Sequence, residues 1–338
     1  MTSQPRLTDL DRPAALIAAL PAVLGFVPVQ SLVLITIDRG DMGPVLRMDL
    51  STALTSGTEH LASVVASSSP DSAIAVIVDE EAAEHFELAD ELAMSLDDYG
   101  IVLLAALVVD RLAPGGRWFC VDGCGAGGVI DNPEASPMAA AAVLDGRRLY
   151  GRREELEQVV GVVDAERGAR LREAINRCAP PGDKDAAAAG VRLALQLAAQ
   201  VRDDTELDDA DVATLARALT DPLVRDTLYA LAVGERAGEA ESLWTRLARI
   251  LPEPWRAEAL VLVAFSAYAR GDGPLAGISL EAALKCQSTH RMAGMLDQAL
   301  QAGMHPRQIR ELALTGYRTA AQLGVRLPAR LAFGQRGR

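Results

Sequence analysis

Residues 117–131, RWFCVDGCGAGGVID, combine glycines and thiols at spacings that could do chemistry: Gly123, Gly125 and Gly128 spell G-x-G-x-x-G, and Cys120 and Cys124 stand four apart. Glycines in this pattern cradle a dinucleotide when a strand leads in and a helix begins at the last glycine, with its N-terminus on the pyrophosphate. RWFCVD reads as the strand, but VIDNPEASP follows, and Pro133 and Pro137 forbid a helix opening there. NAD is therefore not expected, and the glycines read as a turn. Cys120 and Cys124 offer two thiolates to a metal, whereas a structural zinc takes four ligands. Cys178 and Cys286 are single, and His60, His85, His290 and His305 stand apart in sequence, so zinc is not expected either. The spacing also differs from the C-x-x-C of thiol oxidoreductases.

A second set is formed by four aspartates that each end a strand-like run: Asp38, Asp79, Asp110 and Asp122. In open α/β sheets ligands collect beyond the carboxyl ends of the strands. If several of these strands run parallel, their carboxylates converge there and could hold Mg²⁺ for phosphate chemistry, with Asp79 and Asp110 the firmest pair. Aspartate is also a common turn former. Asp79, followed by Glu80 and Glu81, reads equally as a helix N-cap with an acidic first turn, and Asp38 opens a tight hairpin. There is no G-x-S-x-G, Walker loop or H-E-x-x-H. His60, His85 and His305 fall in or at the ends of expected helices and read as surface or packing residues. Trp118 and Trp255 read as large apolar fillers.

The elements that must position these groups are legible in the hydrophobic pattern. SLVLITID (31–38) is a short apolar strand ending at the turn RGDMGP, and VLRMDL (45–50) could pair with it as a hairpin. AIAVIVD (73–79) and GIVLLAALVVD (100–110) are continuous apolar runs, the mark of strands buried on both faces. The stretch between them, residues 80–98, has helical spacing, so a right-handed parallel crossover is expected. RWFCVD adds a last strand, and the VI after the glycines begins its return. Pro13 to Ile37 carries no charge over 25 residues, but Pro21, Gly25 and Pro28 interrupt it. It divides into a short helix, a turn and a strand rather than a membrane span.

After Ser136 the strand signals vanish. MAAAAVLDGRRL, REELEQVVGVV, ERGARLREAINRC and DAAAAGVRLALQLAAQVRD all read as helix, with CAPPGDKD (178–185) as a break. The acidic run Asp203, Asp204, Glu206, Asp208, Asp209 and Asp211 reads as a solvated loop favouring the positive end of a helix near Val212. Gly238, Leu243, Leu247 and Ile250 are followed 33 residues later by Gly271, Ala276, Leu280 and Ala283, a weak repeat of the tetratricopeptide kind. Ordinary antiparallel hairpins account for the same spacing.

Composition narrows the function classes. Half the 338 residues are apolar, enough for a substantial core, and the net charge of −13 repels polyanions. Of 33 basic residues only Lys184 and Lys285 are lysines, a bias that a GC-rich genome imposes on any protein and that carries no weight for nucleic-acid binding. His305 to Arg338 holds seven arginines against the single acid Glu311. That segment reads as a basic tail on an acidic body, or as a dock for an anionic partner. Four scattered cysteines build no disulfide framework and point to the reducing cytosol.

The order AALIAALPAVLGFVPVQSLVLI, RWFCVDGCGAGG, ASPMAAAAVLDGR and WRAEALVLVAFSAYARGDGPLAGISLEAAL resembles the bacterial domain-of-unknown-function family 4192, from about Leu7 to about Gly303. The resemblance implies a cytoplasmic protein of high-GC bacteria and supplies no activity. In that family the stretch after the aromatic strand carries a Cys-Cys-Pro. Cys120 and Cys124 match its first and next cysteine positions, while the paired cysteine and the proline are absent here.

The expected architecture is α/β: a mixed-sheet α/β domain over residues 1–135, then an all-helical, tetratricopeptide-like region over 136–330 with repeat-like hairpins near 221–303, then a flexible basic tail over 331–338. The expected function is a non-catalytic binding or scaffolding protein that meets a protein partner through its helical half. The alternative is a metal-dependent enzyme acting on a small phosphorylated or nucleotide-like molecule at the carboxyl edge of the sheet.

Overall fold

The computed structural model describes residues 12–81, 85–144, 147–180, 182–202 and 205–331. They form a mixed α/β protein of two compact units, the first running to Arg153 and also taking in Gln301–Gly303, the second made of the remainder from Glu154. The first unit continues past the last strand to include a helix at Pro137–Leu144.

Six strands make one sheet in the order β2-β1-β3-β4-β5-β6: β1 Ser31–Asp38, β2 Asp41–Asp49, β3 Ser72–Val78, β4 Val102–Val109, β5 Arg117–Cys120 and β6 Gly127–Val129. Arg39 and Gly40, at φ 50° and 84°, turn β1 into β2 as the mirror-image hairpin turn whose twist suits flanking strands. β1 is antiparallel to β3, with Ser31 opposite Val78, and β3 is parallel to β4, with Val78 opposite Val109. β4–β5 and β5–β6 are antiparallel. The expected strand–helix–strand crossover is therefore present and the sheet is mixed.

Helix α1, Pro13–Leu24, ends at Gly25, whose φ of 76° is open to a residue without Cβ. It runs through Pro21, which the sequence reading took as an interruption. The proline removes one helical hydrogen bond, to the Ile17 carbonyl, at about 3 kcal/mol. Burial of Leu16, Ile17, Leu20 and Leu24, at about 1.5–3 kcal/mol each, outweighs it. Helices α2, Thr58–Ala66, and α3, Phe86–Asp97, cover one face of the sheet, where Leu34, Ala75, Ile77 and Val108 pack with Leu61, Val65, Leu92 and Leu96. The opposite face is also buried at Val33, Ile35, Val76 and Val109. The first half of β4 departs from the expected two-sided burial, since Val102 and Leu104 are exposed.

The second unit is helical: α5 Ala165–Arg177, α6 Lys184–Arg202, α7 Asp209–Leu219, α8 Pro222–Leu228, α9 Ala237–Ile250, α10 Trp255–Arg270, α11 Gly273–Cys286, α12 Arg291–Gln301 and α13 Pro306–Gln322, following α4, Pro137–Leu144, of the first unit. REELEQVVGVV does not form the continuous helix expected. It is helical only over Arg153–Glu157, because four valines around Gly161 resist helix by χ1 crowding and backbone entropy. Asp208 caps α7 by accepting the Ala210 and Asp211 N–H groups, as the acidic run suggested, while Asp203 and Asp204 lie outside the described residues. The tail beyond Leu331 lies outside them too. α10 is buried around its whole circumference, from Ala257 through Ala269, and so forms the axis on which α9 and α11 pack. Among the described residues no helix is long and apolar enough to cross a membrane.

α13 reaches α8 at Gly316. A Cβ there would stand 2.7 Å from the Thr227 carbonyl oxygen, 2.8 Å from Ala230 Cβ and 2.9 Å from the Asp226 carbonyl oxygen. Two of the three are backbone atoms that cannot rotate away. Gly316→Ala should therefore destabilise the protein by about 1–3 kcal/mol despite its better helix propensity, read as a lower denaturation midpoint; an unchanged midpoint would mean that α13 sits further from α8 than described.

Candidate functional site at the carboxyl edge of the sheet

The register decides which of the strand-end aspartates meet. β3 and β4 are parallel, so Asp79 and Asp110 leave the sheet at the same edge, and the Asp79 N–H extends the ladder to the Val109 carbonyl at 3.0 Å. β1 runs the other way, which puts Asp38 at the opposite edge, beside Asp71. β5 is antiparallel to β4 and the Val121 N–H bonds to the Ala106 carbonyl, so Asp122 also points away from Asp79 and Asp110.

Asp79 is buried and fully engaged. Its Oδ1 accepts from Gln30 Nε2 at 2.5 Å and from the Glu81 N–H at 3.2 Å, and its Oδ2 lies 2.7 Å from His85 Nε2. Burial alone raises its pKa, but the hydrogen bonds from His85, Glu81 and Gln30, with the electrostatic influence of His85, bring it below the ordinary carboxylate value. An ionised Asp79 calls for a donating Nε2–H on His85. Nδ1 is buried and has no hydrogen-bond partner among the described residues. Gln30 delivers its amide from a left-handed backbone, φ 44°, which costs a side-chain-bearing residue about 1–2 kcal/mol.

Asp110 holds the start of β5. Its Oδ1 accepts the Arg117 N–H at 2.8 Å, and its Oδ2 accepts from Arg111 at 2.9 Å. The Arg117 guanidinium makes no ion pair among the described residues and borders an open hollow of about 500 Å³ over β5–β6, lined also by Trp118, Phe119 and Gly128. Trp118 is buried, as its reading as a filler required, but its Nε1–H finds no acceptor among the described residues. Asp79 on β3 and Arg117 on β5 are two strand spacings apart, ~10 Å.

The glycine-rich stretch is a hairpin turn between β5 and β6, with Gly123 and Gly125 at φ 82° and 75°. It brings Cys120, Asp122 and Cys124 together. Hydrogen bonds from the Cys124 and Cys120 thiols and the Cys124 N–H hold Asp122 down at about 2. Burial, and then the neighbouring Asp122 and Cys124, push the Cys120 thiol up to about 12.

Two histidines that read as unremarkable in sequence are partnered acids' neighbours in space. His85 is bound to Asp79 as described. His290 Nε2 lies 3.2 Å from Glu258 Oε2, its Nδ1 accepts the Ala293 N–H, and Arg225 also reaches Glu258 at 3.2 Å. That second cluster ties α8, α10 and α12 inside the helical unit. His60 is exposed, and His305 caps α13 through Nδ1. The signal for His85 was the six-residue step from a strand-end aspartate to a helix start; nothing in sequence marked Gln30.

A carboxylate with a depressed folded-state pKa contributes stability that is complete above its unfolded value, about 4, and lost as pH falls through the folded value. Asp79→Asn should thus cost about 1–3 kcal/mol at pH 7 by weakening buried hydrogen bonds, and its deficit against the unsubstituted protein should shrink below pH ~4. Denaturant melts across pH check this; a deficit independent of pH would show that Asp79 is not held ionised.

The family model described as Domain of unknown function (DUF4192) matches residues 13–307. No curated protein and no solved structure matches the chain. The matched span includes the sheet, both edges of it, the thiol turn and the helices through α12, so the chain belongs to the DUF4192 family.

Proposed function

We propose that the carboxyl edge of the first unit binds a small anionic molecule of the phosphorylated or nucleotide-like class and acts on it by acid–base chemistry, His85 serving as general base, Asp79 orienting it and Arg117 anchoring the anion. The carrying observation is the buried Asp79–His85 pair, 2.7 Å apart, with His85 Nδ1 unpartnered among the described residues. A carboxylate on one imidazole nitrogen fixes the tautomer and favours the imidazolium once the other nitrogen takes a proton. The Arg117 guanidinium, without an ion pair among the described residues, and the hollow over β5–β6 that it borders supply an anion contact roughly 10 Å away along the sheet, a span suited to a molecule with a phosphate at one end. Mg²⁺ fits this edge less well. Both oxygens of Asp79 and of Asp110 already accept hydrogen bonds, which a bound cation would have to displace. Four free thiols agree with a protein of the reducing bacterial cytoplasm.

A second reading is a protein partner held by the helical half in a tetratricopeptide-like manner. It is favoured by the helix pairs: α11 and α12 begin 36 residues after α9 and α10 respectively. It is favoured also by Met295 and Leu312, exposed on the last two helices.

Nuclear magnetic resonance of histidine-labelled and backbone-labelled protein, titrated with adenosine monophosphate and with inorganic pyrophosphate, tests the first reading. Saturable shifts are expected at the His85 ring and at the Asp110 and Arg117 amides. Arg117→Ala should weaken binding about tenfold or more, since a charge-assisted hydrogen bond is worth about 1.5–3 kcal/mol. No shift at these residues with either probe, or equal binding by Arg117→Ala, would sink it.

A further inference from the structure

The turn between β5 and β6 gathers three metal-ligating side chains that belong to no part of the carboxyl-edge site. One ligand atom each from Cys120, Asp122 and Cys124 lies within 4.8 Å of the other two. We propose that this turn binds one borderline-soft divalent transition-metal ion of the Zn²⁺ kind through the two thiolate sulfurs and an Asp122 carboxylate oxygen, with the remaining coordination position open to water or a small ligand.

Local structure produces the convergence. Cys120 closes β5 and residues 121–124 bend at once, the Cys124 N–H donating to Asp122 Oδ1 at 2.9 Å, so the chain turns back instead of running on as strand. Gly123 and Gly125, both left-handed, curl the chain so that the three approach instead of spreading along a line. Added Cβ atoms at these two glycines would meet nothing within 4 Å, so the turn has room to adjust. The adjustment needed is small. With Zn–S near 2.3 Å and Zn–O near 2.1 Å, tetrahedral ligands stand ~3.5–3.8 Å apart, against the 4.8 Å ceiling seen here.

The donor set selects the ion. Two thiolates are soft and favour zinc-like cations over Mg²⁺ or Ca²⁺, which prefer all-oxygen sets. Three protein ligands with one position open is the arrangement of reactive or exchangeable sites, whereas structural zinc closes all four. The exposure of Asp122 and Cys124 gives the ion a path in from solvent. Binding transfers one proton from each thiol to solvent and involves no change of oxidation state.

Co²⁺ is the probe, added to the reduced, metal-free full-length chain. One equivalent should raise a near-ultraviolet thiolate-to-cobalt charge-transfer band, and Zn²⁺ should bleach it. Cys124→Ser, at an exposed position and with circular dichroism run alongside to check its fold, should weaken Co²⁺ binding by more than the ~10–100-fold that outer-shell changes cost. Cys120→Ser should do the same. Asp122→Asn should weaken binding by at least the ~10–100-fold of an outer-shell change while keeping the band, since both sulfurs remain. The double variant Cys178→Ser/Cys286→Ser should titrate like the unsubstituted chain. No band at one equivalent, a titration of Cys124→Ser or Cys120→Ser that matches the unsubstituted chain, or a band lost in the Cys178→Ser/Cys286→Ser chain would overturn the proposal.

Discussion

The parallel pairing of β3 with β4 fixes what the first unit can do, because its neighbours in the sheet are antiparallel and send their ends the other way. A parallel pair needs a crossover, and α3 supplies it across one face. The crossover returns the chain so that two carboxyl ends lie side by side. It also starts α3 just beyond the edge, where His85 drops onto Asp79. Reversing β4 would send Asp110 to the far edge with Asp38 and leave Asp79 with Gln30 and His85 alone. The electrostatics of the edge thus follow from topology: a depressed carboxylate under a buried imidazole, and a guanidinium two strands away with no ion pair among the described residues.

Much of the sheet was legible because its strands are short, β-branched and bounded by turn residues. SLVLITID is strand over its full length, and the Asp38-Arg39-Gly40-Asp41 hairpin follows from local turn chemistry. The glycine stretch was readable as a turn because two prolines closed off the helix that a dinucleotide site needs. What sequence could not settle was direction. Four aspartates end strands, and only pairing partners dozens of residues away decide which two share an edge. His85 and Gln30 were missed for the same reason, since each gains its chemistry from a residue six or 49 positions away. Pro21 inside α1 and the early end of the 153–157 helix show the converse. Local propensity lost to burial in the first case, and in the second it ended a helix whose apolar spacing looked continuous.

The helical unit rests on different physics. α10 has no polar face because it has no solvent face, and its Glu258 stays ionised through Arg225 and His290 rather than water. Burial raises that carboxyl, while the His290 hydrogen bond and the Arg225 charge more than offset it, leaving it below its ordinary value. An ion cluster in such a place adds little net stability compared with apolar packing, but removing one member strands the others. It therefore fixes which faces of α8, α10 and α12 meet.

The sheet ends on strands that make poor templates. β6 is three residues long, two of them glycine, and offers almost no side-chain surface for another strand to pack against. β2, at the other end, carries Pro44 and a register break between the pairs Ile35–Val45 and Ile37–Met42. A proline and a bulge both interrupt the row of backbone donors and acceptors that an incoming strand would read. The consequence is that the six strands of the described residues are bounded by backbone chemistry that opposes further growth at both margins, with the long apolar strands β1, β3 and β4 held inside, away from the edges where strands of other chains would add.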